Sequence, residues 1–300
     1  MTDGIICIDK PEGFTSFDVV AKTRGITKCR KIGHGGTLDP MATGVLPLFF
    51  GRAAKAMSLM PVQEKRYTAS FQLGIVTDSQ DLSGTVLERL PAHVTREQLE
   101  QALIPMRGEQ KQLPPMFSAV WVDGQRLYNL ARQGREVERP LRDVAIHSLE
   151  LLDFDEDRQT GVVDIRCSKG TYVRTICHDI GQALGCGAAL SALRRTETLG
   201  YGIQCCHTLD QLQQLADEGR LDEVTLPVES AFTAYPRIYL SPKQAGMFLN
   251  GVRLDTKRIR CPAQEDMVRV MADGKFLGLA RIDRQAEELI IVKLFVLEQE

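Results

Sequence analysis

The sequence predicts an α+β fold in two parts, a larger mixed domain over residues 1–234 and a smaller β-rich one over 235–300. Strand-type and helix-type patterns mix without the regular alternation that a doubly wound nucleotide fold requires. Beyond Tyr235-Pro236, short β-type runs separated by turn signals read as a small barrel. In chain order, Gly4 to Asp9 is an apolar strand-type run closed by the turn Lys10-Pro11-Glu12-Gly13. Thr15 and Ser16 each suit the start of a helix that runs through Val19 and Val20 toward Arg24. Arg66 to Leu73 alternates as a strand, and Thr95 to Met106 sets a capping residue ahead of Leu99, Ala102 and Leu103 at helical spacing. The stretch from Leu113 to Gly134 combines prolines, aromatics and arginines. It reads either as an RNA-gripping element or as a hairpin and short helix packed on the core with Trp121 buried. The barrel strands are Met267 to Met271, Phe276 to Ile282 and Leu289 to Val296, with turns at Asp273-Gly274 and Asp283-Arg284.

A chain of 300 residues with 43% hydrophobic and 25% charged content supports a sizeable core and excludes a disordered chain. The net charge of -2 lacks the basic excess of many nucleic-acid binders. Local charge is the relevant scale, and Lys22, Arg24, Lys28, Arg30 and Lys31 gather just before a glycine-rich loop. Taken alone, such a run is equally a solvated face. None of the eight cysteines forms a Cys-x-x-Cys pair, and no histidine stands where it would complete a zinc-type set. They are expected to be reduced thiols, mostly buried, with no metal. Neither a signal peptide nor a bilayer-spanning run is present, so a cytoplasmic protein is expected.

The loop itself, Lys31 to Pro47, places one acid, Asp39, among glycines and apolar residues. Glycines at 33, 35 and 36 permit tight turns and close approach to a ligand. Asp before Pro also suits a turn or a helix cap. With Leu38 before it and Val45-Leu46 after, the carboxylate is expected to lie against the interior and to need a nearby cation. Lys169-Gly170-Thr171 reads as a strand-to-helix turn that could aim Tyr172 and Arg174 into one cleft. The loop lacks the Gly-x-x-x-x-Gly-Lys pattern of a phosphate cradle.

Gly33-His34-Gly35-Gly36-Thr37-Leu38-Asp39-Pro40-Met41-Ala42-Thr43-Gly44 resembles the signature of the TruB family of tRNA pseudouridine synthases. Lys10-Pro11-Glu12-Gly13-Phe14-Thr15-Ser16, Lys65-Arg66-Tyr67, Ser168-Lys169-Gly170-Thr171-Tyr172-Val173-Arg174 and Leu193-Arg194-Arg195-Thr196 extend the resemblance over nearly the whole chain. It implies a pseudouridine synthase fold with a mixed, largely antiparallel sheet and a C-terminal PUA domain, where Leu249 to Val252 looks like a characteristic turn. It implies a thumb-like RNA-binding segment at about 113–142 and isomerisation of the uridine of the tRNA TΨC loop, position 55. That reaction moves the glycosidic bond from N1 to C5 of one base, so no cofactor is expected.

By the same resemblance Asp39 is the essential carboxylate. Attack at C1′, addition at C6 and removal of the C2′ proton all remain open for it. Arg174 is its partner, able to bind both carboxylate oxygens. Tyr67 would stack on the flipped uracil, with its hydroxyl as a proton acceptor. Tyr172 and Leu193 would shape the pocket, and His34 would fill the space left by extruded bases. Lys10 would contact RNA or brace the loop. Gly35 stands where the family often has Thr, which would loosen the loop. The expected partner is the T-arm stem-loop of tRNA, without guide RNA or membrane, and the protein is expected to be a monomer.

Overall fold

In the computed structural model, which describes residues 3–122 and 124–296, the first strand β1 (Gly4–Lys10) runs buried in a large sheet, one strand in from its edge. The outermost residues of both expected domains, 1–2 and 297–300, lie outside the described residues. Thr15 then opens α1 (Ser16–Thr27) through a capping box with Asp18, each side chain bonding the other's backbone amide. The helix outlasts the expected Arg24 by one turn, because Ile26 still packs under it and Lys28 ends it in the left-handed conformation.

After β2 (Ile32–His34) and β3 (Thr43–Phe50) come β4 (Lys65–Leu73) and a small hairpin, β5 (Ile75–Thr77) with β6 (Val86–Arg89). Helix α2 (Arg96–Leu103) is capped by Thr95 and gives way to a 3₁₀ turn at Ile104–Met106, where Pro105 removes an amide donor. Next are β7 (Gly108–Gln112), the short elements β8 (Trp121–Val122), β9 (Gln125–Arg126) and α3 (Leu127–Ala131), and the long hairpin β10 (Arg142–Asp155) and β11 (Thr160–Cys167). Helix α4 (Val173–Ala183) precedes β12 (Ala188–Thr198), β13 (Tyr201–Gly202), β14 (Cys206–His207) and α5 (Leu209–Asp217).

The main sheet has the order β14-β1-β3-β12-β4-β11-β10-β7, with β2 on β3 and β13 on β12. Only β1–β14 and β3–β12 pair in parallel, so the sheet is mixed and largely antiparallel. Strand β12 is central: it sets Arg195 opposite Gly44 of β3 on one side and Tyr67 of β4 on the other. A Cβ on Gly44 would lie 2.1 Å from the Arg195 carbonyl oxygen, and its φ is +101°, so only glycine fits there.

The second sheet, β15 (Arg237–Tyr239), β16 (Leu254–Asp255), β17 (Met267–Ala272), β18 (Lys275–Asp283) and β19 (Glu288–Leu294), has the order β15-β17-β18-β19-β16 with α6 (Pro242–Leu249) against it. Leu249-Asn250-Gly251 closes α6, with Gly251 at φ +84°. The two sheets share an apolar contact in which Phe232 packs against Phe276 and Phe295. No helix among the described residues is long and apolar enough to cross a membrane. Four of the eight cysteines are buried rather than most of them, and Cys205 is exposed.

Candidate active site

Two cavities meet at Asp39. The smaller, of 230 Å³, lies between Tyr67, Tyr172, Leu193 and Lys65. The larger, of 860 Å³, is an open cleft running from Phe17 and His34 past Asp39 to Arg126, Tyr128 and Arg132. Thr37, Leu38, Ser118 and Arg174 border both, so Asp39 stands at the passage from one to the other.

The Asp39 loop connects β2 to β3 and is held from two sides. From β1 and α1, the Pro40 carbonyl accepts hydrogen bonds from Gly13 N at 2.9 Å and Lys10 Nζ at 3.1 Å. Ser16 Oγ receives the Leu38 amide at 2.8 Å and donates to the Leu38 carbonyl at 3.2 Å. From β12, Arg195 donates to the Gly36 carbonyl at 3.0 Å and the Thr37 carbonyl at 3.4 Å. Lys10 is fully buried, with its ammonium on the Pro40 carbonyl of the loop. It makes no contact with the outer surface, and burial pulls its pKa down to about 8.

Arg174, in the first turn of α4, lies 3.0 Å from Asp39 through its Nε. The ion pair is present, but the expected burial is reversed. The Arg174 side chain is 5% exposed and the Asp39 side chain 39%. Leu38 turns inward beneath the loop and leaves Asp39, the next residue, facing the cavity. The guanidinium also does not fork onto both oxygens of Asp39. Its Nη1 meets the Ser79 carbonyl at 2.9 Å and Asp81 at 3.5 Å, and its Nη2 donates to the Phe117 carbonyl at 2.7 Å. Every nitrogen of the buried cation thus has an acceptor, which offsets its desolvation. Asp81, itself buried, is held by Ser79 Oγ at 2.8 Å and Ser83 N at 3.0 Å. The result is an Asp39–Arg174–Asp81 chain that joins the loop, α4 and the turn after β5, with Phe117 tied to the same guanidinium.

Tyr67 and Leu193 line the small cavity as nearly buried walls, on neighbouring strands β4 and β12. Burial raises the Tyr67 pKa, while contact with Arg195 opposes that rise. Tyr172 caps α4, exchanges hydrogen bonds between its backbone and the Gln112 side chain, and packs against the apolar cluster of Val120, Leu127 and Leu130. His34 ends β2 on the wall of the larger cleft, away from the small cavity. Burial lowers its pKa and its Nδ1 has no hydrogen-bond partner.

Trp121 is not buried. It is 62% exposed and stacks under Arg126 at 5.1 Å, and Arg132 lies over Tyr128 at 5.6 Å. On the opposite wall Phe17 lies under Arg24, and beside α1 Lys22 covers Phe14. Lys22, Lys28, Arg30 and Lys31 are all exposed. Among the described residues no three of His, Cys, Asp and Glu converge as metal ligands.

Sequence reasoning missed Asp81 and gave Arg195 no role. Asp81 follows Thr77-Asp78 in a turn rich in Ser and Asp, the one local signal that a buried acid could be held there. Arg195 stood in a recognised motif, but its partners are backbone carbonyls and carry no residue signature.

Residues 24–173 match the family model of the TruB family pseudouridylate synthase N-terminal domain. Residues 174–233 match the tRNA pseudouridylate synthase B C-terminal domain, and 236–290 match a further C-terminal model of pseudouridine synthase II TruB. A tRNA pseudouridine synthase B of Stutzerimonas stutzeri is 44% identical over 285 residues, covering 93% of this chain and 91% of that protein. One of Clostridium tetani is 38% identical over 296 residues, covering 98% of this chain and 100% of that protein. In a solved Cbf5-Nop10-Gar1 complex, a chain 24% identical superposes with a TM-score of 0.74 over 98% of this chain and 85% of its own length. That likeness extends to the fold alone, and the C-terminal five-stranded half-barrel is PUA-like. The chain belongs to the TruB family of pseudouridylate synthases.

Proposed function

We propose that this TruB-family enzyme converts the uridine of the tRNA TΨC loop, position 55, to pseudouridine as a stand-alone monomer in the cytoplasm. The observation that carries the reading is the place of Asp39. Its carboxylate sits where a cavity suited to a single base opens into a cleft wide enough for RNA backbone. A base flipped into the small cavity brings its glycosidic bond to that passage.

Residues 1–234 form the catalytic domain and 235–300 the RNA-binding PUA-like domain, with about 113–142 as the thumb. Uracil enters between Tyr67, Tyr172 and Leu193, and the walls keep it in place after the C1′–N1 bond breaks. Asp39 supplies the negative charge that separates base from sugar, by attack or by proton abstraction. Arg174 holds that carboxylate in place, and its bond to Phe117 ties the same orientation to the thumb. Phosphates of the T-arm meet the exposed Lys22, Lys28, Arg30 and Lys31, whereas bases stack on the aromatic–cation pairs of the cleft walls. His34 occupies the gap left in the RNA loop. Lys10 acts at one remove from the RNA, through the Pro40 carbonyl.

The test is incubation of the purified protein with unmodified tRNA transcript, without guide RNA, followed by mapping of pseudouridine. Pseudouridine at position 55 is expected. Asp39→Asn keeps the side chain's size and removes its charge, so it should bind tRNA and form no product. Turnover by folded Asp39→Asn, with deamidation excluded, would overturn the assignment, and so would a wild-type enzyme that needs a guide RNA.

A further inference from the structure

Arg195 is the largest side chain with no exposure at all, and no carboxylate pairs with it among the described residues. Its Nε donates to the Val45 carbonyl at 2.8 Å, and its two Nη atoms to Gly36 and Thr37. A neutral amide could serve such carbonyls without the desolvation that a cation suffers there. The charge therefore calls for a different explanation. Among the groups near the guanidinium is the Tyr67 phenol, whose oxygen its charge attracts. Register supports the pairing, because Arg195 and Tyr67 face each other across β12 and β4.

The charged and titratable groups around the phenol come from every side of it. Arg195 approaches from β12, Cys167 from β11 and Asp39 from the loop, while Lys65 of β4 and Arg174 of α4 border the same cavity. Burial, Cys167 and Asp39 all favour the protonated phenol, and Arg195 opposes them. A phenol left to burial alone would be a poor proton carrier near neutral pH.

We propose that Arg195 is a positioning residue acting through Tyr67, attracting the phenol oxygen and stabilising the phenolate that shuttles a proton from C5 to N1 of the uracil. The inference rests on the reading given under Proposed function. When the C1′–N1 bond has broken, its electron pair remains on N1, which takes the Tyr67 proton and leaves a phenolate. Once C5 has bonded to C1′, the phenolate removes the proton from C5. The C5–H electron pair restores the C5=C6 double bond, and the phenol is regenerated. No atom is gained or lost overall, and no oxidant or reductant takes part.

Two measurements on Arg195→Gln and Arg195→Lys test this. The first is the ¹³C-tyrosine titration of Tyr67 in the free protein, assigned with Tyr67→Phe. The second is single-turnover pseudouridine formation from mildly acid to mildly alkaline pH, with tRNA affinity and thermal melting as controls. Arg195→Gln should move the Tyr67 titration upward by about one pH unit or more. It should slow turnover roughly thirty-fold near neutrality, with a deficit that narrows as pH rises and tRNA affinity within about threefold. Arg195→Lys should fall between wild type and Gln in both. An unmoved Tyr67 titration, or a deficit equal at every pH as a purely structural role would give, overturns the proposal.

If Arg195→Gln does not fold, Arg195→Lys carries the test. Incorporating 3-fluorotyrosine, a more acidic phenol, at position 67 should recover part of its lost rate, and no recovery would overturn the proposal equally. A wild-type protein that forms no pseudouridine would instead sink the functional reading, while the titration in the free protein would still report on Arg195.

Discussion

Replacing Arg174 by Lys separates charge from geometry at the centre of the site. If charge alone kept Asp39 active, Lys would serve, since it remains a cation at working pH. The structure argues otherwise. Arg174 spreads its three nitrogens over Asp39, the Ser79 carbonyl, Asp81 and the Phe117 carbonyl, whereas a lysine ammonium gathers its donors at one point. At least two of those acceptors would lose their donor. At about 1–3 kcal/mol for each buried group left unsatisfied, about 2–6 kcal/mol is at stake before relaxation. We expect single-turnover rates to fall by about 10²–10³-fold, equivalent to about 2.7–4 kcal/mol in the barrier. Melting temperature should fall by several degrees as well, because Asp81 and Phe117 hold separate elements to α4. The rate is read by release of tritium from C5 of labelled uridine in a tRNA transcript, and affinity by filter binding, which should stay within about threefold. A variant that turns over within about fivefold of wild type at unchanged melting temperature would refute the argument that the split guanidinium geometry matters.

Lys10→Met should lower the turnover rate by about 10- to 100-fold with little change in tRNA affinity, because the ammonium reaches Pro40 rather than RNA. A fall in affinity with a salt slope smaller by about one would instead make Lys10 a phosphate contact. Trp121→Ala should weaken tRNA binding by about 1–3 kcal/mol, the worth of a base stacked on an aromatic. Unchanged affinity would remove Trp121 from the RNA-contacting surface. On α4, burial pushes the Asp179 carboxyl up to about 6. Its folded value lies above its unfolded one, so the penalty is absent in acid and grows as pH rises from the ordinary carboxyl range through about 6. Asp179→Asn should therefore raise the melting temperature at pH 8 and leave it nearly unchanged at pH 4, with a ceiling of about 3 kcal/mol. Equal gains at both pH values would contradict the sign.

Local rules carried most of the fold. Alternation placed β4, capping residues placed the starts of α1 and α2, and turn signals placed the last strands, all within a few residues of the observed bounds. The Asp39–Arg174 pair was legible because both residues lie in long motifs that resemble those of a family in which the two are paired. Where the reading failed, the reason is a direction or a partner that sequence neighbours do not encode. Leu38 and Asp39 are adjacent yet face opposite sides of the loop, so apolar neighbours did not bury the acid. Trp121 sits on a two-residue strand at the tip of the thumb, where no second layer exists to cover it.

Asp81 and Arg195 mark a deeper limit. Each is a buried charge whose partners were invisible in the sequence: Arg195 reaches carbonyls some 150 residues away, and Asp81 meets Arg174 only because a turn with Gln80 at φ +64° brings it back. Such charges are costly without a function or a network to hold them. Arg174 has its network in Asp39, Asp81 and two carbonyls. Arg195 has carbonyls and a phenol, and that difference makes Tyr67, rather than the loop it braces, the side chain on which its charge acts.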